Sequence, residues 1–249
     1  MNISFGLKLW STNKSLIDDA KKLIMEGTFQ YIELTPIPNT SLDYFKDMSI
    51  PYVIHITTEN HGLNIADPKI KDYNLELIHE CILWVDELKA KCLVLHPGYG
   101  SIENALDFLD NIKDNRIHIE NMPKVGINNE KMIGYNPEQI KVLMGNKFSF
   151  CLDLNHAIKA ASSLNIDYKD LIENFLKLKP KLFHIADGRT NYEKDEHLNF
   201  GEGNYNLNYL MDVVKNHSKE NTTYITLETP RKSLNDDLKN VEIIRKILY

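Results

Sequence analysis

Apolar residues recur along the chain in two alternating periods. Short runs rich in Ile, Val, Leu, Phe and Tyr fall at Ile3–Leu9, Tyr31–Leu34, Tyr52–His55, Cys92–His96, Arg116–Asn121, Phe148–Asp153, Leu182–Ala186 and Tyr224–Glu228. Runs of this length and composition predict buried strands. Between them the spacing becomes helical, at Ser15–Glu26, Lys71–Leu88, Ile102–Lys113, Pro137–Met144, Asp167–Leu178, Asn206–Lys215 and Leu234–Leu248. A weaker segment, Leu42–Asp47, has room for a turn or two. Strands alternating with helices predict an α/β fold with a parallel sheet covered by helices. At 249 residues the closed (β/α)8 TIM barrel is the size-matched form. A doubly wound open sheet normally carries a Gly-rich phosphate turn after its first strand, and none follows Leu9. No linker, repeat or composition shift divides the chain, so residues 1–249 read as a single domain.

Composition narrows the class. No apolar run approaches the length of a membrane span, and the N-terminal residues enter a strand-like run with no basic and apolar leader. Cys81, Cys92 and Cys151 lack metal-site spacing and sit in apolar segments, as reduced thiols of a cytoplasmic protein would. A formal charge of −6 disfavours a surface that coats nucleic acid, while leaving room for metal ions in an acidic site. No obligate protein partner is evident.

Residues with ligand chemistry fall repeatedly at the C-terminal ends of predicted strands. His55 closes Tyr-Val-Ile-His, and His96 closes Cys-Leu-Val-Leu-His before Pro97-Gly98. Glu120 closes Ile-His-Ile-Glu, and Asp153 closes Phe-Cys-Leu-Asp with His156 three residues on. His184 lies in Leu-Phe-His-Ile-Ala-Asp, and Glu228 closes Tyr-Ile-Thr-Leu-Glu. In a barrel these ends meet at one mouth, where active sites are built. Gathering carboxylates and imidazoles there is costly unless cations compensate. A mixed imidazole and carboxylate set favours zinc, with manganese or iron as alternatives, over magnesium or calcium.

After the seventh strand, Asp195 and His197 stand two apart, so an extended segment points both the same way, and Gly201-Glu-Gly203 follows. Taken singly, each element has an ordinary explanation: a strand-end His is usually a hydrogen-bonded rim residue, and Asp-x-x-His is a plausible helix N-cap. The joint pattern, in phase with the strands, is harder to explain that way. His79 and His217 fall among polar helical neighbours and read as surface residues, and His61 lies in a loop near His55. His118 shares a strand face with Glu120, one layer deeper, and is a candidate to orient it from behind.

These signatures resemble the xylose isomerase-like TIM-barrel superfamily, and within it the endonuclease IV (AP endonuclease family 2) branch. They are Val-Ile-His55, Val-Leu-His96-Pro-Gly, Ile-Glu120-Asn, Cys-Leu-Asp153-Leu-Asn-His156-Ala, Phe-His184-Ile-Ala-Asp-Gly, Asp195-Glu-His197 with Gly-Glu-Gly, and Leu-Glu228-Thr-Pro. The resemblance implies up to three zinc ions. His55 and His96 would hold one, with Glu120 bridging to a second completed by Asp153, His184 and Glu228. His156, Asp195 and His197 would hold the third. It also implies metal-assisted phosphodiester hydrolysis, on abasic DNA, with Glu228 and Glu120 in catalytic roles.

Where that family's loops carry basic and aromatic residues that enter DNA, this chain has Thr35-Pro-Ile-Pro-Asn-Thr and Ile56-Thr-Thr-Glu-Asn-His-Gly-Leu. Substrate contacts would fall to Tyr99, Arg189 and Arg231, with Lys8, Lys124 and Lys194 as further phosphate-tracking candidates. The alternative is a sugar or sugar-phosphate isomerase or epimerase of the same superfamily. It would use one metal on Glu120, Asp153, His184 and Glu228, with the two glutamates as acid and base. A non-catalytic metal-binding barrel is the third reading, and an intact ligand set is unnecessary for it.

Overall fold

The computed structural model describes residues 3–46 and 49–249. Eight parallel strands close into one barrel in chain order: β1 (Ile3–Trp10), β2 (Tyr31–Thr35), β3 (Tyr52–His55), β4 (Leu93–Leu95), β5 (Ile117–Glu120), β6 (Ser149–Asp153), β7 (Leu182–Ile185) and β8 (Thr223–Leu227). β8 pairs with β1 and leaves no edge. Every predicted strand is present, so the chain has the (β/α)8 TIM-barrel fold.

The helices are α1 (Ile17–Met25), α2 (Lys71–Leu88), α3 (Ile102–Leu109), α4 (Pro137–Met144), α5 (Leu154–Leu164), α6 (Tyr168–Leu176), α7 (Leu207–His217) and α8 (Leu234–Leu248). They are not dealt one per strand. The β2–β3 connection has a single 3-10 turn at Leu42–Tyr44 in place of a helix; Asp47, the end of the segment expected there, lies outside the described residues. The β6–β7 connection has two helices. The first, α5, starts directly from β6, with Asp153 as its N-cap accepting the His156 N–H at 2.7 Å. Among the described residues no helix is long and apolar enough to cross a membrane.

Strand alternation divides the core in two. On β1 and β2, Phe5, Leu7, Leu9, Ile32 and Leu34 face outward into the main apolar layer beneath the helices. A separate small cluster of Tyr31, Val53, Cys92, Val94, Cys151 and Leu182 plugs the barrel interior. Above that plug the inward positions become polar: Lys8, Glu33, His55, Glu120, Asp153 and His184 are all buried. The three cysteines are free and buried.

Candidate metal centre

The polar layer is built by strand register. Lys8 and Glu33 are paired across β1 and β2, and Asp153 and His184 across β6 and β7. The residues expected to converge do so in three adjoining groups, each with ligand atoms within 4.8 Å of one another. They are His55–His96–Glu120, Glu120–Asp153–His184–Glu228, and His156–Asp195–His197.

Each imidazole of the first two groups, and His156 of the third, is held by one nitrogen and turned inward by the other. His55 Nδ1 donates to the Ile56 carbonyl at 2.7 Å, and Nε2 meets Glu120 Oε2 at 3.2 Å. His96 Nδ1 is 3.1 Å from Glu59 Oε2, and Nε2 is 3.2 Å from Glu120 Oε2. His156 Nδ1 donates to the Asn121 carbonyl at 2.9 Å, leaving Nε2 3.6 Å from Asp195 Oδ2. His184 Nε2 is 3.0 Å from Glu33 Oε2, with Nδ1 3.2 Å from Glu120 Oε1 and 3.5 Å from Glu228 Oε1. An imidazole fixed in this way presents a lone pair at its other nitrogen, the usual support of a metal-ligating histidine.

The cross-contacts also fit a cation. His197 Nε2 is buried without a hydrogen bond, yet stands 3.1 Å from Asp195 Oδ1. Two ligands of a tetrahedral ion with bonds of about 2.0–2.1 Å lie about 3.4 Å apart, close to these separations. The donor set and its spacing therefore suit divalent ions.

The electrostatics agree. Six buried or half-buried carboxylates (Glu33, Glu59, Glu120, Asp153, Asp195, Glu228) surround one ammonium, Lys8, which is 2.8 Å from both Glu33 and Glu228. Burial disfavours the charge on His96 and His197, but Glu120 and Glu59 raise the first to about 10 and Asp195 the second to about 9. Burial, reinforced by Glu120 and Glu228, pushes Asp153 up to about 6 although His156 pulls the other way. Burial also disfavours charge on Glu228, but Lys8 and His184 outweigh it and hold the carboxyl at about 2.

The other expected residues have different surroundings. Arg231 is half of a buried fork, with Nε and Nη2 on Asp237 of α8 at 2.8 and 2.9 Å and Nη2 also on the Lys8 carbonyl. Arg189 is taken by Glu196 at 2.6 Å. These two guanidiniums tie the structure together, and neither lines the cavity. Lys8 lies within the site, and Lys194 donates to the Ile127 carbonyl at 2.7 Å. Tyr99 does line the cavity. His118 makes no bond to Glu120. Two residues lower on β5, it lies about 6.6 Å down the strand, and its Nδ1 is unpartnered. The Gly201–Gly203 turn wraps a different carboxylate: Asp187 accepts the amides of Gly201, Gly203 and Tyr205, and a Cβ on Gly203 would stand 2.3 Å from Asp187 Oδ1.

Glu33 and Glu59 belong to the site without having been legible as strand-end ligands. Glu33 sits mid-strand, where its inward phase between Tyr31 and Thr35 is the available signal. Glu59 is in the turn after β3, where sequence gives no position. A cavity of about 380 Å3 opens above the ligand groups, walled by Trp10, Glu59, Tyr99, Met122, Ile127 and Met132 among others.

A closed parallel barrel with its ligand chemistry gathered at the C-terminal strand ends defines a TIM-barrel enzyme class. The xylose isomerase-like TIM barrel family matches residues 23–247, and the chain belongs to that family. A protein named probable endonuclease 4 from Mycoplasmopsis synoviae is 32% identical over 221 residues, covering 80% of this chain and 76% of that one. The uncharacterized protein MJ1614 of Methanocaldococcus jannaschii is 27% identical over 268 residues, covering 100% and 99%. Among solved structures, a D-tagatose 3-epimerase-like protein superposes with a TM-score of 0.76 at 24% identity, covering 98% of this chain and 97% of that one. Endonuclease IV from Thermus thermophilus does so at 0.75 and 19%, covering 98% of each. Likenesses this close to one another, at such identities, establish the fold and leave the reaction to the site.

Proposed function

We propose that the chain is a divalent-metal-dependent phosphodiester hydrolase of the endonuclease IV type, with zinc as the ion its donors suit best. Its substrate in this reading is DNA at an abasic site, in a DNA-repair role in the cytoplasm. The observation that carries the reading is the third ligand group. A single-metal isomerase needs the quartet Glu120, Asp153, His184 and Glu228 and could use His156 on a sugar hydroxyl, which leaves Asp195 and His197, and His55 and His96 aimed at Glu120, without a role in it. The charge balance supports it too. Without metal the carboxylates are balanced only by Lys8 and by imidazoles held protonated, His96 and His197 among them, and divalent ions would take over that compensation for buried charge.

His55, His96 and Glu120 would hold one ion, Glu120, Asp153, His184 and Glu228 a second, and His156, Asp195 and His197 a third. Bound there, divalent ions supply Lewis acidity towards a phosphodiester and acidify water. The protein's own part is orientation. Glu59 and Glu33 fix the His96 and His184 rings, Lys8 steadies Glu228 from one side, and Glu228 can direct an attacking water. Tyr99 offers a surface beside the bound sugar. The test is incision of a duplex carrying one abasic site by zinc-loaded protein. Incision is expected, and Glu228→Gln should lower it at least about 100-fold.

The second reading is a sugar isomerase or epimerase. It is favoured by the cavity, whose size suits a single sugar unit and whose lining, among the described residues, contains Lys8 as its one lysine or arginine. One bound ion per chain with interconversion of a ketose, and no incision, would establish that reading over the hydrolase.

A further inference from the structure

Lys159 is a lysine that neither reading uses. It lies on α5, and its side chain is fully buried. A buried ammonium is costly unless completely satisfied, and this one is. Nζ donates to Glu196 Oε1 at 2.7 Å and to the Arg189 carbonyl at 3.0 Å. The faces of Tyr192 and Tyr205 complete the enclosure at 5.2 and 5.6 Å, within the range of cation–π attraction. All four partners come from the loop between β7 and α7, so that loop is folded around a single charge contributed by another element.

The same loop and the same helix face build the third ligand group. His156 is three residues before Lys159 on α5, hence on the same side. Glu196, which Lys159 grips, stands between Asp195 and His197. One turn back, Asn155 donates to Asp195 Oδ1 at 2.7 Å and accepts the Tyr205 hydroxyl at 2.6 Å. Arg189 closes the outer side of Glu196 through its amide at 2.8 Å and its guanidinium at 2.6 Å. α5 thus supplies one ligand directly and fixes the loop carrying the other two.

We propose that Lys159 is the positioning residue of the third metal group: its ammonium pins Glu196, and so sets Asp195 and His197 against His156. This rests on the three-ion reading for its ligand, but it concerns this chain's own loop. The test loads metal-free protein with zinc, follows ions per chain by native mass spectrometry, and follows amide exchange along the chain. Lys159→Met keeps the length and apolar stem of the side chain and leaves Glu196 paired with Arg189. It should hold two ions as the parent does, bind the third about 10–100-fold more weakly, and exchange faster in residues 189–205. Glu196→Gln, which retains the acceptor oxygen, should fall between Lys159→Met and the parent. Parent-like binding of the third ion by Lys159→Met would overturn the proposal. So would an equal weakening of all ions in both variants, which would make Lys159 a general fold residue. If the parent itself binds one ion, the three-ion reading fails, and unchanged exchange in 189–205 of Lys159→Met then overturns the positioning role as well.

Discussion

At the scale of single residues, the rim histidines carry a measurable consequence. In protein stripped of metal, His96 and His197 are held near about 10 and about 9 by carboxylates that outweigh their burial, against about 6.5 unfolded. A raised folded pKa contributes stability that is complete below the unfolded value and is lost as pH rises through the folded one. Chelated protein should therefore melt highest near pH 6 and lose stability steadily between about pH 6.5 and 10. Zinc should reverse the trend, because ligating imidazoles must be neutral and binding releases protons. Thermal melts with and without chelator across that window test both signs. The same scale shows what the sequence could carry. Strand-end residues such as His55, Glu120 and Asp153 are legible because their position follows from the strand period. Glu59 is not, since its hold on His96 depends on the path of a turn. Glu59→Ala should weaken the His55–His96–Glu120 site about 10–100-fold in zinc titrations, with Glu59→Gln close to the parent.

At the scale of elements, the barrel interior sets a tight local constraint. Gly6 on β1 faces the Tyr31 ring of β2, and a Cβ there would lie 2.3–2.7 Å from the ring and its hydroxyl. Tyr31 cannot easily give way, because its hydroxyl is bonded to Thr226 at 2.8 Å and Thr226 to Glu33 at 2.5 Å. Gly6→Ala should cost about 1–3 kcal/mol or more by overpacking. Tyr31→Phe should not restore that loss, since the clash is with ring carbons, whereas Tyr31→Leu in the same chain should recover part of it as a coupling energy. Denaturant titration of the single and double variants measures this. Most elements are legible from period alone: α2, α4 and α8 have the bounds that their apolar spacing gives. α5 is the exception. It abuts β6 with no loop between them, so Asp153 ends a strand and caps a helix at once, and the Asp-x-x-His cap is the one sign of the change that the sequence carries. The β2–β3 connection carries only the short turn expected of it: Leu42–Tyr44 is a single 3-10 turn that seats Phe45 in the core, and so short a segment does not offset the cost of α-helix nucleation.

At the scale of the whole molecule, charge decides how a polyanion could be bound. The formal charge of −6 includes the carboxylates of the rim, and three divalent ions would cancel it. Arg189 and Arg231 are occupied internally, Lys194 bonds a backbone carbonyl, and Lys8 is enclosed between two glutamates. The loaded metal centre, with the half-buried Lys124 next to the cavity-lining Pro123, is thus the main positive feature at the mouth, and a duplex would be held by the few phosphates that reach it. Each neutralised phosphate contributes about −0.9 to the slope of log K against log salt. Zinc-loaded protein should therefore bind an abasic duplex with a slope no steeper than about −3, and chelated protein should not bind it measurably. Fluorescence anisotropy of a labelled duplex over a range of salt concentrations provides the measurement. A slope near about −6 would reveal a basic tracking surface and contradict this account of affinity. A shallow slope that vanishes on chelation would place recognition at the ions and the cavity above them, which is also why cavity shape, rather than surface charge, should govern the choice between a DNA sugar and a free one.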